Sequence, residues 1–122
     1  MTALAPHITA FFRQRLPLER MASPHTCDSY AYAFRLLFAF ASRRLRMPPS
    51  ALQLENIDAK MVLAFLEDLQ SSRTNGARTR NARLTAIKSF MHFVEHRVPG
   101  AIEQIRRVLA IPNQKTDQRL ID

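Results

Sequence analysis

The chain has 122 residues, 47% of them apolar, with 18 Lys and Arg against 10 Asp and Glu for a net charge of +8. That length supports one domain with a real core, and that apolar content excludes a disordered chain. Two glycines exclude Gly-rich phosphate loops, one cysteine excludes a disulfide framework or a multi-Cys zinc site, and no apolar run nears the ~20 residues of a membrane span.

Hydrophobic periodicity is helical throughout, and no segment alternates as a strand does. The first residues, Met1 to His7, lack a basic stretch followed by an apolar one. No signal peptide is therefore expected, and the chain reads as soluble and cytoplasmic. A first helix is expected from Pro6 to about Leu16, with Ile8, Phe11, Phe12 and Leu16 on one side and Pro17 as its limit. Ser23 suits the N-cap of a second helix and Pro24 its first position. Phe34, Leu37, Phe38, Ala41 and Leu45 follow at three- and four-residue steps until Pro48-Pro49 ends the element.

A third helix is expected to start at Asp58, with Ile57 and Val62 spaced as a hydrophobic staple and Val62, Phe65, Leu66 and Leu69 as its buried stripe. Ser71 to Gly76 is a polar connection with turn chemistry at Asn75-Gly76. A fourth helix runs from about Ala77 to Arg97, with Leu84, Ile87, Phe90, Met91 and Val94 inward, and Pro99-Gly100 breaks it. A short fifth helix carries Ile102, Ile105, Val108 and Leu109 and ends before Pro112. The expected organisation is an all-α, compact bundle of four to five helices over residues 1–111, with residues 112–122 as a polar linker or tail. The phenylalanines fall on the inward phase, so they read as core rather than as base-stacking side chains.

The distribution of charge carries the first functional signal. Arginine supplies 15 of the 18 cations, and its planar fork pairs bidentately with phosphate or guanine. A GC-rich gene would give the same preference for Arg over Lys, but not the net charge. From Arg73 to Arg97 six cations face one acid, Glu95, in 25 residues. Arg78, Arg80 and Arg83 occupy the first two turns of the fourth helix, where the dipole disfavours cations by roughly 0.3–1 kcal/mol each at exposed sites. An incoming anion reverses the sign of that penalty. Thr79, Asn81 and Thr85 add short polar groups that reach phosphates or base edges, and the Asn81 amide is of the kind that reads adenine bidentately. On a helical wheel Arg78, Asn81, Thr85, Lys88 and His92 share the outward face, whereas Arg80 and Arg83 lie nearer the inward phase of Ile87. A second basic group, Arg43, Arg44 and Arg46, sits at a helix C-terminus, where the dipole favours it, so a structural role explains it at least as well.

Other constellations do not carry chemistry. His92-Phe93-Val94-Glu95-His96 has the His-x-x-Glu-His spacing of inverted zinc peptidases. Only Glu103, Asp117 and Asp122 follow as further acids, and the chain is too small for such an enzyme, so it reads as a polar helix end. Cys27 lies in the first turn of a helix with no acid–base pair set beside it, which fits an inert, partly buried thiol. Tyr30 has the phase of the core stripe, so its ring packs while its hydroxyl reaches outward.

Two stretches carry a family likeness: Ser23-Pro24-His25-Thr26-Cys27-Asp28-Ser29-Tyr30 followed by Phe34, Leu37, Phe38 and Phe40, and Asp58 through Leu69 leading to Thr79-Arg80-Asn81-Ala82-Arg83-Leu84-Thr85-Ala86-Ile87-Lys88-Ser89-Phe90. Together they resemble the N-terminal core-binding domain of tyrosine recombinases, the phage-integrase family, over about residues 5 to 111. The resemblance implies a SAM-like orthogonal helical bundle that clamps one face of duplex DNA while a larger catalytic domain grips the other. By position it implies Thr26, Ser29 and Tyr30 on the second helix as DNA contacts, and Arg78, Thr79, Asn81, Arg83 and Lys88 on the fourth. Arg80 and Thr85, from the charge and polar pattern, complete the candidate set. Ala82 departs from the family pattern, where arginine is common, and so does Ala77, where a serine often caps the helix.

The family's chemistry uses two arginines, a lysine, a His-x-x-Arg segment and a tyrosine nucleophile in the catalytic domain. His7, His25, His92 and His96 are followed three residues on by Ala10, Asp28, Glu95 and Pro99, so that segment does not occur. The resemblance thus implies a DNA-binding module of an integrase or site-specific recombinase with no cleavage activity of its own, the presumed full-length protein being a tyrosine recombinase. Duplex DNA is the expected partner, with other recombinase protomers on that DNA as further candidates. No cofactor, metal, membrane or small-molecule substrate is expected. The alternatives are a helical protein–protein adaptor and a DNA-binding transcription regulator.

Overall fold

In the computed structural model, which describes residues 1–116, the first helix does not stop where Pro17 predicts. Helix α1, Ala5–Ala10, passes without a break into a π-helical run, Phe11–Glu19, that holds Pro17 inside it. A proline ring clashes with the carbonyl four residues back in α-winding, and the wider winding relieves that clash. The run ends where the Arg20 N–H reaches the Arg15 carbonyl and the Ala22 N–H the Leu16 carbonyl, both at 2.8 Å, with Met21 left-handed at φ 48°.

Helix α2, Pro24–Leu45, starts as the sequence indicates: Ser23 Oγ accepts from the Thr26 N–H at 3.1 Å. It ends at Arg46, left-handed at φ 56°, whose N–H returns to the Ser42 carbonyl. Two short 3₁₀ turns, Pro49–Ala51 and Leu54–Asn56, lead to α3, Ala59–Ser71. Asp58 caps α3, its Oδ1 accepting from the Met61 N–H at 2.9 Å. In the polar connection that follows, Thr74 is left-handed (φ 54°). The Asn75 N–H is committed to the Leu69 carbonyl at 3.0 Å, and Gly76, at φ −82°, serves as the extended N-cap of α4, Ala77–Arg97. A 3₁₀ turn, Pro99–Ala101, precedes α5, Ile102–Leu109.

Phe11 is the hub of the core. Fully buried, it meets the rings of Phe12 at 5.2 Å, Phe34 of α2 at 6.2 Å, and Phe90 and Phe93 of α4 at 5.4 and 5.6 Å. Each such pair adds about 0.5–1.5 kcal/mol beyond burial, so this cluster fixes the first helix across α2 and α4. None of the eight phenylalanines is exposed, in keeping with the core assignment. Met61, Val62, Phe65, Leu66 and Leu69 of α3 and Leu84, Ile87 and Met91 of α4 belong to the same core, where α3 packs on α4. The N-terminus is tied down by Glu55, whose carboxylate accepts the Thr2 N–H and hydroxyl, each at 2.9 Å.

The fold is an all-α bundle, as expected. Among the described residues the one β-type feature is an isolated bridge between Ala3 and Gln53, and no helix is long and apolar enough to cross a membrane. Of the expected tail, residues 117–122 lie outside the described residues.

Candidate nucleic-acid interface

Helix α4 buries Leu84, Ile87, Phe90, Met91 and Val94, and this leaves the opposite face outward as the wheel predicts. Arg78, Thr85 and His92 are exposed there, with Asn81 and Lys88 half-buried beside them. No acid lies in the first turn. Among the described residues the ion pairs of arginine are Arg15–Glu19 and Arg107–Glu103, and Glu95 lies beside His92 and His96, so no carboxylate neutralises Arg78, Arg83 or Lys88.

Arg80 does not belong to that face. It is 6% exposed, and its Nη1 donates to the Pro112 carbonyl at 2.9 Å and to Asn81 Oδ1 at 3.2 Å. Its position near the inward phase puts the guanidinium under the segment that follows α5, and burial lowers its pKa from the ordinary value. Its reading as a surface contact is corrected to an internal tie between α4 and residue 112.

Asn81 is likewise engaged. Its Oδ1 accepts the Gln114 N–H at 2.9 Å while its Nδ2 donates to the Gln114 carbonyl at 2.8 Å. The Gln114 side chain exchanges a second pair of bonds with Gln70 of α3, at 2.8 and 3.0 Å. Both polar atoms of the Asn81 amide are occupied, so the bidentate reading of adenine is not open to it in this arrangement. Residues 112–114 therefore lie against α3 and α4 instead of leaving the bundle directly.

The remaining candidates divide between the two helices. The Arg83 guanidinium stacks 5.0 Å over the ring of Tyr32, joining α4 to α2. Thr79 is half-buried, and the Thr85 hydroxyl donates to the Asn81 carbonyl at 3.0 Å. On α2, Ser29 is exposed, while Thr26 is half-buried with its Oγ1 accepting from Ser23 Oγ at 3.1 Å. Tyr30 is half-buried, its ring against the core. Tyr30, Thr85 and Lys88 share an open cleft of about 300 Å³, which Arg20, Ser89, His92 and Asn113 also line. The candidate set read from the sequence lacks Arg20, Ser89, His92 and Asn113, although Ser89 lies in the stretch that carries the family likeness and His92 on the outward face of the wheel.

The other polar groups are accounted for locally. Glu95 lies 3.3 Å from His92 and 3.9 Å from His96, which makes the His-x-x-Glu-His stretch a polar cluster at the helix end. Among the described residues no three His, Cys, Asp or Glu side chains are placed to share a metal ion. Arg44 stacks over Phe40 at 5.8 Å, and Cys27 is half-buried.

Comparison with known proteins gives the family. Residues 8–97 match the family model described as phage integrase, N-terminal SAM-like domain. A Sinorhizobium fredii protein carrying the name integrase/recombinase y4rC is 48% identical over 120 residues, which cover 98% of this chain and 36% of that protein. A second from the same organism, named integrase/recombinase y4rD, is 48% identical over 109 residues, 89% of this chain and 39% of that protein. The chain thus spans little more than a third of the length of these curated relatives. No solved structure matches it significantly. The family model runs from α1 to the last residue of α4 and so takes in both helices of the basic face: the chain belongs to the phage integrase N-terminal SAM-like domain family.

Proposed function

We propose that residues 1–111 form a DNA-binding domain that serves integration or site-specific recombination, holding duplex DNA on the outward face of α4 and the start of α2. The observation that carries this reading is the uncompensated basic face: Arg78, Arg83 and Lys88 lie on a helix with no acid in its first turn and no carboxylate partner among the described residues. Phosphates supply the missing negative charge and gain from the helix N-terminus as well. Arg78 and Lys88 contact the backbone, and Ser29, Thr26, Tyr30, Thr79 and Thr85 add polar contacts along it. Arg83 contributes its charge from its seat over Tyr32.

In this reading the domain carries no strand-cleavage chemistry; in a protein of its relatives' length that work falls to a tyrosine-recombinase catalytic domain beyond the 112–122 segment. The protein acts in the cytoplasm, with further protomers on the same DNA. Fluorescence anisotropy with labelled duplex over a salt series tests it. Neutralising about four to six phosphates gives log K falling with log salt at a slope near −4 to −5. Salt-independent affinity, or none at low salt, contradicts DNA binding.

A further inference from the structure

We propose that the cleft between α2 and α4 seats one backbone phosphate of the DNA, gripped jointly by Arg20 and Lys88; this rests on the DNA-binding reading above. Four separate stretches of chain line the cleft: Arg20 after the π-helical run, Tyr30 of α2, Thr85, Lys88, Ser89 and His92 of α4, and Asn113 after α5. Two of these carry fixed positive charge, and three bear hydroxyls. Among the described residues no carboxylate lines the cleft. The acid of α4, Glu95, does not line it and lies beside His92 at 3.3 Å.

The chemistry selects a phosphate diester over other ligands. Lys88 offers three donors and Arg20 five, none of which accepts, so the ligand must be an acceptor bearing negative charge. The cleft is open and about 300 Å³, which suits a group held between two sugars more than a small molecule that must be enclosed. Arg20 comes to this position because the chain reverses at Met21 (φ 48°) directly after the π-helical run closes on the Arg15 carbonyl. The unusual winding through Pro17 therefore has a consequence for binding: it brings a cation from the first helix to the face of the fourth.

A double-mutant cycle on the whole chain tests this, using Arg20→Gln, Lys88→Gln and the double variant, with anisotropy over a salt series and circular dichroism to confirm folding. Two cations on one phosphate are energetically coupled, so the double variant loses less affinity than the product of the single losses, by about threefold or more. Each single variant lowers the salt slope by about one, and the double by little more than one. The pair Arg20→Gln with Arg78→Gln, on separate phosphates, lowers it by about two and behaves multiplicatively. An Arg20→Gln variant that binds as the parent chain does, or an Arg20/Lys88 double variant with independent losses, overturns the shared seat while leaving DNA binding intact. A parent chain that does not bind duplex overturns both, and the two failures are thereby told apart.

Discussion

Asn81 and Gln114 are joined as neighbouring strands are: the Gln114 N–H donates to Asn81 Oδ1 at 2.9 Å, and Asn81 Nδ2 donates to the Gln114 carbonyl at 2.8 Å. A side-chain amide here stands in for a peptide group and holds the segment after α5 against the first turns of α4. Loss of Asn81 frees two backbone groups and removes an acceptor from Arg80.

Asn81→Ala is accordingly expected to cost about 1–2 kcal/mol of stability and to weaken binding to all DNA sequences alike. Native-state hydrogen exchange gives the specific check. The Gln114 amide should be protected in the parent chain and should lose that protection in the variant. Rapid exchange in the parent chain, or a change of preference at one base, contradicts the pairing.

Arg78 and Arg80 are two residues apart and should behave oppositely. Arg80→Ala removes a buried donor and leaves the Pro112 carbonyl without it, for a loss of about 2–3 kcal/mol. Arg78→Ala, on the exposed face, should change stability by no more than about 0.5 kcal/mol. Urea unfolding of both variants decides this, and equal midpoints would refute the internal role of Arg80.

His7 couples stability to pH. The Arg97 Nε–H donates to His7 Nδ1 at 3.0 Å, which requires the neutral ring. Burial, and then the Arg97 charge, hold its pKa below the ordinary 6.5. The unfolded chain therefore binds the proton more readily, and this contribution, present above pH 6.5, is lost as pH falls through the folded-state value. Urea midpoints should fall between pH 7 and 5, and His7→Gln should flatten that fall. An unaltered pH profile in the variant would rule His7 out as its source.

Much of the bundle was legible because its signals are local. Ser23 with Pro24 and Asp58 mark helix starts through their own side chains, and the bounds of α4 follow from Gly76 on one side and Pro99 on the other. Pro17 misled because its rule presumes α-winding, and nothing in the local composition announces the wider turn. Thr74 took the left-handed position because a bond from Asn75 back to Leu69, six residues away, settles the turn. At the candidate site the outward positions of Arg78, Thr85 and Lys88 were readable from phase, as was the inward tendency of Arg80. The docking of residues 112–114 was not, since its partners lie 32 to 44 residues away.

The central claim is that the cations of the α4 face bind DNA through their position and not through bulk charge. Anisotropy over a salt series should compare Arg78→Ala/Lys88→Ala with Arg106→Ala/Arg107→Ala on α5, where Arg106 is exposed and Arg107 is paired with Glu103 at 2.7 Å. Both double variants lose two formal charges. The first pair should lower the salt slope by about two and weaken binding to every sequence, and the second should leave both almost unchanged. If the α5 pair weakens binding as much as the α4 pair, bulk charge drives association and the assigned face is wrong.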